Sequence, residues 1–237
     1  MNIDFAFETN TGHVRASNQD TVGCFPEHGL FLVADGMGGH QHGERASRMA
    51  IEEILKHYAP ATNGVDGQRL ASAIEKANQS IHSAGASATG RKSMGTTIVA
   101  LAIDSTTGAA AWAHVGDSRL YRHRSGTLEL LTADHTRHGF PYREQGPTPI
   151  DLTHTNQLMA ALGIAPTVQV STGGEPLAVG DRLLLCSDGV SGMLPPEAIR
   201  TFLGNQEDAG ATASRLIASS LQAGGRDNAT AIVLQID

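Results

Sequence analysis

Short apolar runs closed by turn residues recur along this chain. Leu30-Phe31-Leu32-Val33-Ala34 ends at Asp35-Gly36, Ala111-Trp112-Ala113-His114-Val115-Gly116 ends at Asp117, and Leu183-Leu184-Leu185-Cys186-Ser187 ends at Asp188-Gly189. Asp227-Asn228 stands just before Ala229-Thr230-Ala231-Ile232-Val233-Leu234. Runs of this length between turn residues predict buried strands. The pattern predicts strands at 3–9, 30–34, 96–103, 109–115, 118–122, 167–171, 181–187 and 229–236. Arg15 to Asp20 falls in a turn region, and Thr106-Thr107-Gly108 suits a hairpin turn between 96–103 and 109–115.

A helical period governs three other segments. Ala46, Ala50, Ile54 and Leu55 in 44–58, Leu70, Ile74, Ala77 and Ile81 in 68–84, and Ala213, Leu216, Ile217 and Leu221 in 209–223 each mark one face. Strand groups separated by pairs of helices predict two antiparallel sheets with helices outside. The stretch from His135 to Gln157 differs: it holds Pro141, Pro147 and Pro149 with few apolar residues and reads as a long surface excursion after a loop-rich strand series. Long loops of this kind in compact domains are functional or mobile.

Composition narrows the classes. A length of 237 residues suits one large domain, and the 40% apolar content suits an ordinary globular protein. A formal charge of −7 without a Lys/Arg-rich patch argues against a nucleic-acid partner. Cys24 and Cys186 form neither a zinc pattern nor a disulfide framework, so a reducing cytoplasm is the expected setting. The opening residues, with Asp4 and Glu8 and no basic start, do not read as a signal peptide, and no apolar stretch reaches membrane-spanning length. No coiled-coil pattern suggests an oligomer, and a monomer is expected.

The aspartates at strand ends change the picture. Asp-Gly alone is a common turn pair. Several carboxylates gathered at one edge of a sandwich would instead offer the clustered oxygens that hard divalent cations take. Gly36-Met37-Gly38-Gly39-His40 adds a glycine-rich loop whose carbonyls suit the same ions, and it lacks the spacing and Lys of a nucleotide-binding loop.

Six motifs then fall in order: Arg15-Ala16-Ser17-Asn18-Gln19-Asp20, Val33-Ala34-Asp35-Gly36-Met37-Gly38-Gly39-His40, Met94-Gly95-Thr96-Thr97, Val115-Gly116-Asp117-Ser118-Arg119, Ser187-Asp188-Gly189-Val190 and Arg226-Asp227-Asn228-Ala229-Thr230. The set resembles the metal-dependent protein phosphatases, the type 2C serine/threonine phosphatases, in their compact bacterial form. The resemblance implies that residues 1–237 form a single phosphatase domain of the α+β class. Its fold would be a four-layer α-β-β-α sandwich of two antiparallel sheets flanked by helix pairs, with a flap-like excursion at 135–160. It also implies a binuclear Mg²⁺ or Mn²⁺ centre. By position, Asp35 would bridge both ions, the Gly36 carbonyl would bind one, Asp188 and Asp227 would complete the protein ligands of the other, and Asp20 would lie in or just outside this set. Asp117 would hold a third, weaker ion with Asp188; otherwise it caps the turn between 109–115 and 118–122.

Arg15 would grip the substrate phosphate, because a guanidinium matches phosphate oxygens bidentately; the plainer reading is a surface salt bridge. His40 would protonate the leaving seryl or threonyl oxygen or hydrogen-bond metal-held water, or else pack as a loop histidine. His13, His114 and His135 read as structural or exposed, Met94 to Thr97 as a tight strand entry, and Trp112 as core. Two departures stand out: Gln19 replaces a glutamate common in the family, and the flap interior, His138 to Arg143, does not resemble the family's short helix.

The implied activity is hydrolysis of phosphoserine and phosphothreonine in proteins by a metal-activated water. Phosphorylated proteins would be the substrates, within a pathway shared with a cognate serine/threonine kinase. One alternative is a catalytically weak phosphatase-like regulatory or binding module, which should have lost a metal aspartate or Arg15. Another is a two-metal nuclease, which the acidic balance disfavours.

Overall fold

The computed structural model describes residues 1–38, 41–58, 64–87, 94–136 and 158–237, the side chains of Gln41 and Ser87 excepted. In chain order the elements are β1 (Ile3–Asn10), β2 (Asp20–Phe25), β3 (Leu30–Met37), α1 (Gln41–His57), α2 (Gly67–Ser87), β4 (Gly95–Thr96), β5 (Ile98–Ile103) and β6 (Ala109–Val115). There follow β7 (Arg119–Arg124), β8 (Thr127–Leu130), β9 (Ser171–Pro176), β10 (Arg182–Cys186), α3 (Asp188–Ser191), α4 (Pro196–Gly204), α5 (Ala209–Gln222) and β11 (Ala229–Ile236).

One sheet runs β1-β11-β10-β7-β8; the other runs β2-β3-β5-β6-β9, with β4 attached to β3. All pairings between these strands are antiparallel. The layering follows from strands that are apolar on both faces. In β3, Leu30, Leu32 and Ala34 meet Ile54 of α1 and Ile74 of α2, whereas Phe31 and Val33 face the other sheet. In β10, Leu184 and Cys186 meet Leu216 and Ile217 of α5, while Leu183 and Leu185 join Phe31, Val99 and Ile232 between the sheets. Alternate side chains of one strand therefore feed two different cores. The result is the expected four layers: α1 and α2, two sheets, then α4 and α5.

Several boundaries differ from the sequence reading. The strand predicted at 30–34 continues to Met37, so Asp35 and Gly36 lie inside β3 and not in a turn. Residues 20–25 form β2, for which the apolar pattern gives no expectation beyond a turn ending at Asp20. The predicted strand 96–103 breaks at Thr97 into β4 and β5. The strand placed at 167–171 begins only at Ser171, and its sequence, Ser-Thr-Gly-Gly-Glu-Pro, has little strand propensity; pairing with β6 overrides it. β8, α3 and α4 were also not expected. Asp188 opens α3 and does not close a turn.

The Gly116-Asp117-Ser118 connection leaves β6 in one sheet and enters β7 in the other. It is a crossing between layers and not a hairpin. By contrast, Thr106-Thr107-Gly108 is the hairpin expected, closed by Asp104 accepting from Thr106 and Thr107 amides, with Gly108 at φ 76°. Of the flap-like excursion expected at 135–160, residues 137–157 lie outside the described residues, while Thr136 and Leu158 on either side of them form an antiparallel bridge. No helix among the described residues is long and apolar enough to cross a membrane.

α3 packs against the start of β11 so closely that a Cβ on Gly189 would overlap the Asn228 carbonyl. Backbone cannot give way as a flexible side chain can. We expect Gly189→Ala to cost roughly 1–3 kcal/mol of stability, read as a lower urea midpoint at unchanged slope. A midpoint equal to the parent's would show that α3 and β11 are not in this contact.

Candidate active site

The carboxylates arrive from both sheets at one end of the sandwich. Asp20 opens β2 and sits directly across from Asp35 of β3 in register. Asp188 follows β10, Asp227 precedes β11, and Asp117 lies in the crossing between sheets. Asp35, Gly36, Asp117, Asp188 and Asp227 line one cleft of about 780 Å³ together with Arg15. Asp20 is only 9% exposed beside them.

Neutral donors hold these residues in place. The Asp35 amide donates to Thr97 Oγ1 at 3.1 Å, and its carbonyl accepts from the Thr97 amide at 2.8 Å and from Thr96 Oγ1 at 2.9 Å. Thr97 Oγ1 is in turn 2.8 Å from Ser118 Oγ, which couples β3 to the crossing that carries Asp117. Asp20 Oδ2 accepts from Ser187 Oγ at 2.8 Å and Thr230 Oγ1 at 2.6 Å. That carboxylate thus joins the two sheets. Asn228 donates to the carbonyls of Thr11 (2.9 Å) and Ser17 (3.0 Å) and accepts from the Gln19 amide (2.8 Å), which fixes the segment bearing Arg15. Gly36 is enclosed: a Cβ there would collide with the carbonyls of Gly43 and Gln19.

Burial and crowding raise the proton affinity of the carboxylates. Burial pushes Asp20 up to about 6 against the opposing hydroxyls of Thr230 and Ser187, with Asp188 and Asp227 adding repulsion. Asp35 is raised well above the usual carboxylate range by burial and then by Asp20, Asp188, Asp227 and Asp117. Burial, followed by Asp188 and Asp134, lifts Asp117 to about 6. Burial and Asp227 raise Asp188, while a hydrogen bond with Asp35 opposes the rise. Asp20 Oδ1 and Asp188 Oδ1 are buried with no hydrogen-bond partner among the described residues.

Such a cluster is relieved either by protonation or by divalent cations, and clustered carboxylate oxygens are the donors Mg²⁺ and Mn²⁺ take. The residues fit these ions by donor type and by their two orphaned oxygens. Among the described residues no three His, Cys, Asp or Glu side chains already converge as a metal site. Asp227 instead accepts from Arg15 Nη2 at 2.6 Å, so a guanidinium occupies one of its oxygens. Arg15, 56% exposed, is therefore in a salt bridge, but with a member of the cluster.

The other sequence candidates separate clearly. His40 lies outside the described residues. His13 is exposed. His114 and His135 are buried with rings 4.6 Å apart; His114 Nε2 pairs with the Ala133 carbonyl and His135 Nε2 with Ser171 Oγ, each at 2.9 Å. Burial lowers both, His135 to about 4, as suits neutral structural imidazoles. Trp112 is half-buried against Gly173 and not fully in the core. The sequence reading missed the roles of Thr97, Ser118, Ser187, Thr230 and Asn228. The signal was available only in part: each lies within one of the six motifs, without anything in the sequence that gives its partner.

Comparison with known proteins agrees with this architecture. The family described as Protein phosphatase 2C matches residues 10–222. The serine/threonine phosphatase stp of Listeria welshimeri is 31% identical over 97% of this chain and 94% of its own. The crystal structure of the Mycobacterium tuberculosis serine/threonine phosphatase PstP/Ppp superposes with a TM-score of 0.88 at 32% identity, covering 99% of both chains. The catalytic domain of PstP in complex with two manganese ions gives 0.84 at 33% identity, again covering 99% of both. The chain belongs to the protein phosphatase 2C family. Its activity is that of a metal-dependent serine/threonine protein phosphatase acting on phosphoproteins.

The raised carboxylates have a consequence for the chelated protein. Their folded-state values lie above the ordinary carboxyl value of 3.8, so from about pH 4 to beyond pH 6 the folded chain holds more protons than the unfolded one. Stability contributed by these protons is complete below that window and is lost as pH rises through it. We expect the melting temperature in EDTA to fall between pH 4.5 and pH 7, and Asp35→Asn to flatten the fall. Identical pH profiles for parent and variant would show that Asp35 does not share this strain.

Proposed function

We propose that the carboxylate cleft is the place where the phosphoserine or phosphothreonine of a protein substrate is hydrolysed. The observation that carries the reading is the gathering of Asp20, Asp35, Asp117, Asp188 and Asp227, drawn from both sheets, beside Arg15. Asp35 and the Gly36 carbonyl would hold one divalent cation, Asp35 with Asp188 and Asp227 a second, and Asp117 with Asp188 a weaker third. Bound there, the cations would neutralise the carboxylates and acidify a water enough to attack phosphorus near neutral pH. Asp20 would keep the sheets in register through Ser187 and Thr230 while its free oxygen faces the cluster's needs.

Arg15 would then act in two states. Without cations it neutralises Asp227. Once Asp227 turns to another positive charge, the guanidinium is released to hold two phosphate oxygens, a geometry it matches bidentately. Gln19, whose carbonyl accepts from the Gly36 amide at 3.1 Å, would serve by positioning that loop without adding charge. We infer further that residues 1–237 work as one domain, since the two sheets share the core between them. A cytoplasmic setting and a cognate serine/threonine kinase pathway complete the reading.

Phosphate release from a phosphothreonine peptide with Mn²⁺, and its loss in EDTA, tests the assignment directly. Asp35→Ala and Asp188→Ala should each lower kcat by about 100-fold or more in folded protein, because each removes charge at the reaction centre. More than a few per cent of parental rate at saturating Mn²⁺ would remove that residue from the proposed set. Asp117→Ala should depress kcat while two cations still bind tightly by calorimetry.

Arg15→Ala should weaken substrate more than cation binding, with KM rising about tenfold or more as a charge-assisted pair worth roughly 2 kcal/mol is lost. Unchanged kinetics would leave Arg15 as a surface ion pair only.

A further inference from the structure

Among the described residues two cations line the catalytic cleft, Arg15 and Arg226. Arg15 is engaged by Asp227 at 2.6 Å. Arg226 is exposed and, among the described residues, has neither a side-chain hydrogen bond nor an ion pair. Among the described residues Arg45, Arg69, Lys76 and Arg200 are also without an ion pair, but none of these lines the cleft. Elsewhere Arg119, Arg122 and Arg124 each hold a carboxylate.

Its backbone is firmly placed. Gly224 and Gly225 precede it at φ 134° and 52°, and its Cγ and Nε lie about where a Gly224 side chain would touch them, at 3.8 Å. The stem therefore runs along a stretch of bare backbone. Gly225 is tied to the segment that leads to Arg15, its carbonyl accepting from the His13 amide at 2.7 Å. Two residues on, Asn228 makes the three bonds that secure the Arg15 segment. Arg226 is thus mounted at the cleft mouth, one residue from Asp227, with its guanidinium left to solvent.

We propose that Arg226 is a specificity-determining residue that selects phosphoprotein segments carrying a second anionic group close to the phosphorylated residue. This rests on the active-site reading above and adds the substrate class. With the acids of the cleft discharged by bound cations, an exposed guanidinium at its mouth is free to draw a second anionic group, and it matches either a carboxylate or a second phosphate bidentately. An extended peptide advances about 3.3–3.6 Å per residue, so the group served lies about one to three residues from the phosphorylated one.

The test compares kcat/KM of the Mn²⁺-loaded protein on p-nitrophenyl phosphate and three phosphothreonine peptide sets. One set has alanine flanks, one has glutamate placed one to three residues to either side, and one has a second phosphothreonine in those places. The parent should favour an anionic flank about three- to tenfold, less so at high salt. Arg226→Ala should lose that preference while keeping p-nitrophenyl phosphate and the alanine-flanked peptide within about twofold, Arg226→Lys should restore part of it, and Arg226→Glu should reverse it toward lysine-flanked peptides. Preference for glutamate and phosphothreonine alike identifies general anion recognition; preference for phosphothreonine alone identifies a second phosphate. A parent that turns over p-nitrophenyl phosphate but shows no flank preference overturns this proposal alone, as does an equal loss on all substrates in Arg226→Ala. A parent with no Mn²⁺-dependent turnover overturns the active-site reading and this one with it.

Discussion

Mutual repulsion of buried aspartates is the constraint to which the rest of this structure answers. Two like charges 4 Å apart in an effective dielectric near 20 repel by about 4 kcal/mol, and here several carboxylates share one end of the sandwich. Nothing in their own chemistry gathers them. They are carried there by strands whose alternate side chains fill separate cores, so the favourable burial of Leu, Ile and Val on three fronts holds the chain ends where the acids sit. The four-layer arrangement is in this sense a frame that keeps together groups that would otherwise separate.

The local supports follow the same logic. Thr96, Thr97, Ser118, Ser187, Thr230 and Asn228 all fix the cluster or its neighbours, and all are neutral. Neutral donors set geometry without discharging the acids, which leaves the negative charge available. Away from the cleft the protein uses ion pairs freely: Arg119 holds Asp134 through two bonds, and Arg124 holds the buried Asp181 through two more. Arg15 is the exception at the cleft, and its exposed, single-nitrogen contact suits a partner that can be exchanged.

The parts legible in the sequence were those whose physics is local. β11, at 229–236, is legible because an apolar run containing Thr230, Ile232, Val233 and Ile236 follows directly on the turn pair Asp227-Asn228; α5 and the β5–β6 hairpin follow from helical spacing and turn chemistry. β2 and β9 were obscured because Gly23 and Gly173-Gly174 dilute the apolar alternation, and their pairing comes from neighbours far along the chain. The strand end at Ala34 falls short of the true one because Asp-Gly suits a turn, and β4, the two-residue strand that pairs with Gly36 and Met37, carries too little pattern to show that β3 continues. The aspartates of the site were visible as a recurring pattern, whereas Asn228 and Ser187 became visible only when the fold brought Thr11, Ser17 and Asp20 to them.

The bridge between Thr136 and Leu158, reinforced by the Met159 amide donating to the His135 carbonyl at 2.8 Å, has an implication for how this fold diversifies. The chain between those points is closed at its base independently of what it contains. Closure entropy grows only logarithmically, with each doubling of length costing about 0.6 kcal/mol. A longer connection between 136 and 158 therefore adds little closure cost to folding. A change in that connection's length is thus separated, at the level of chain entropy, from the strands that carry the aspartates.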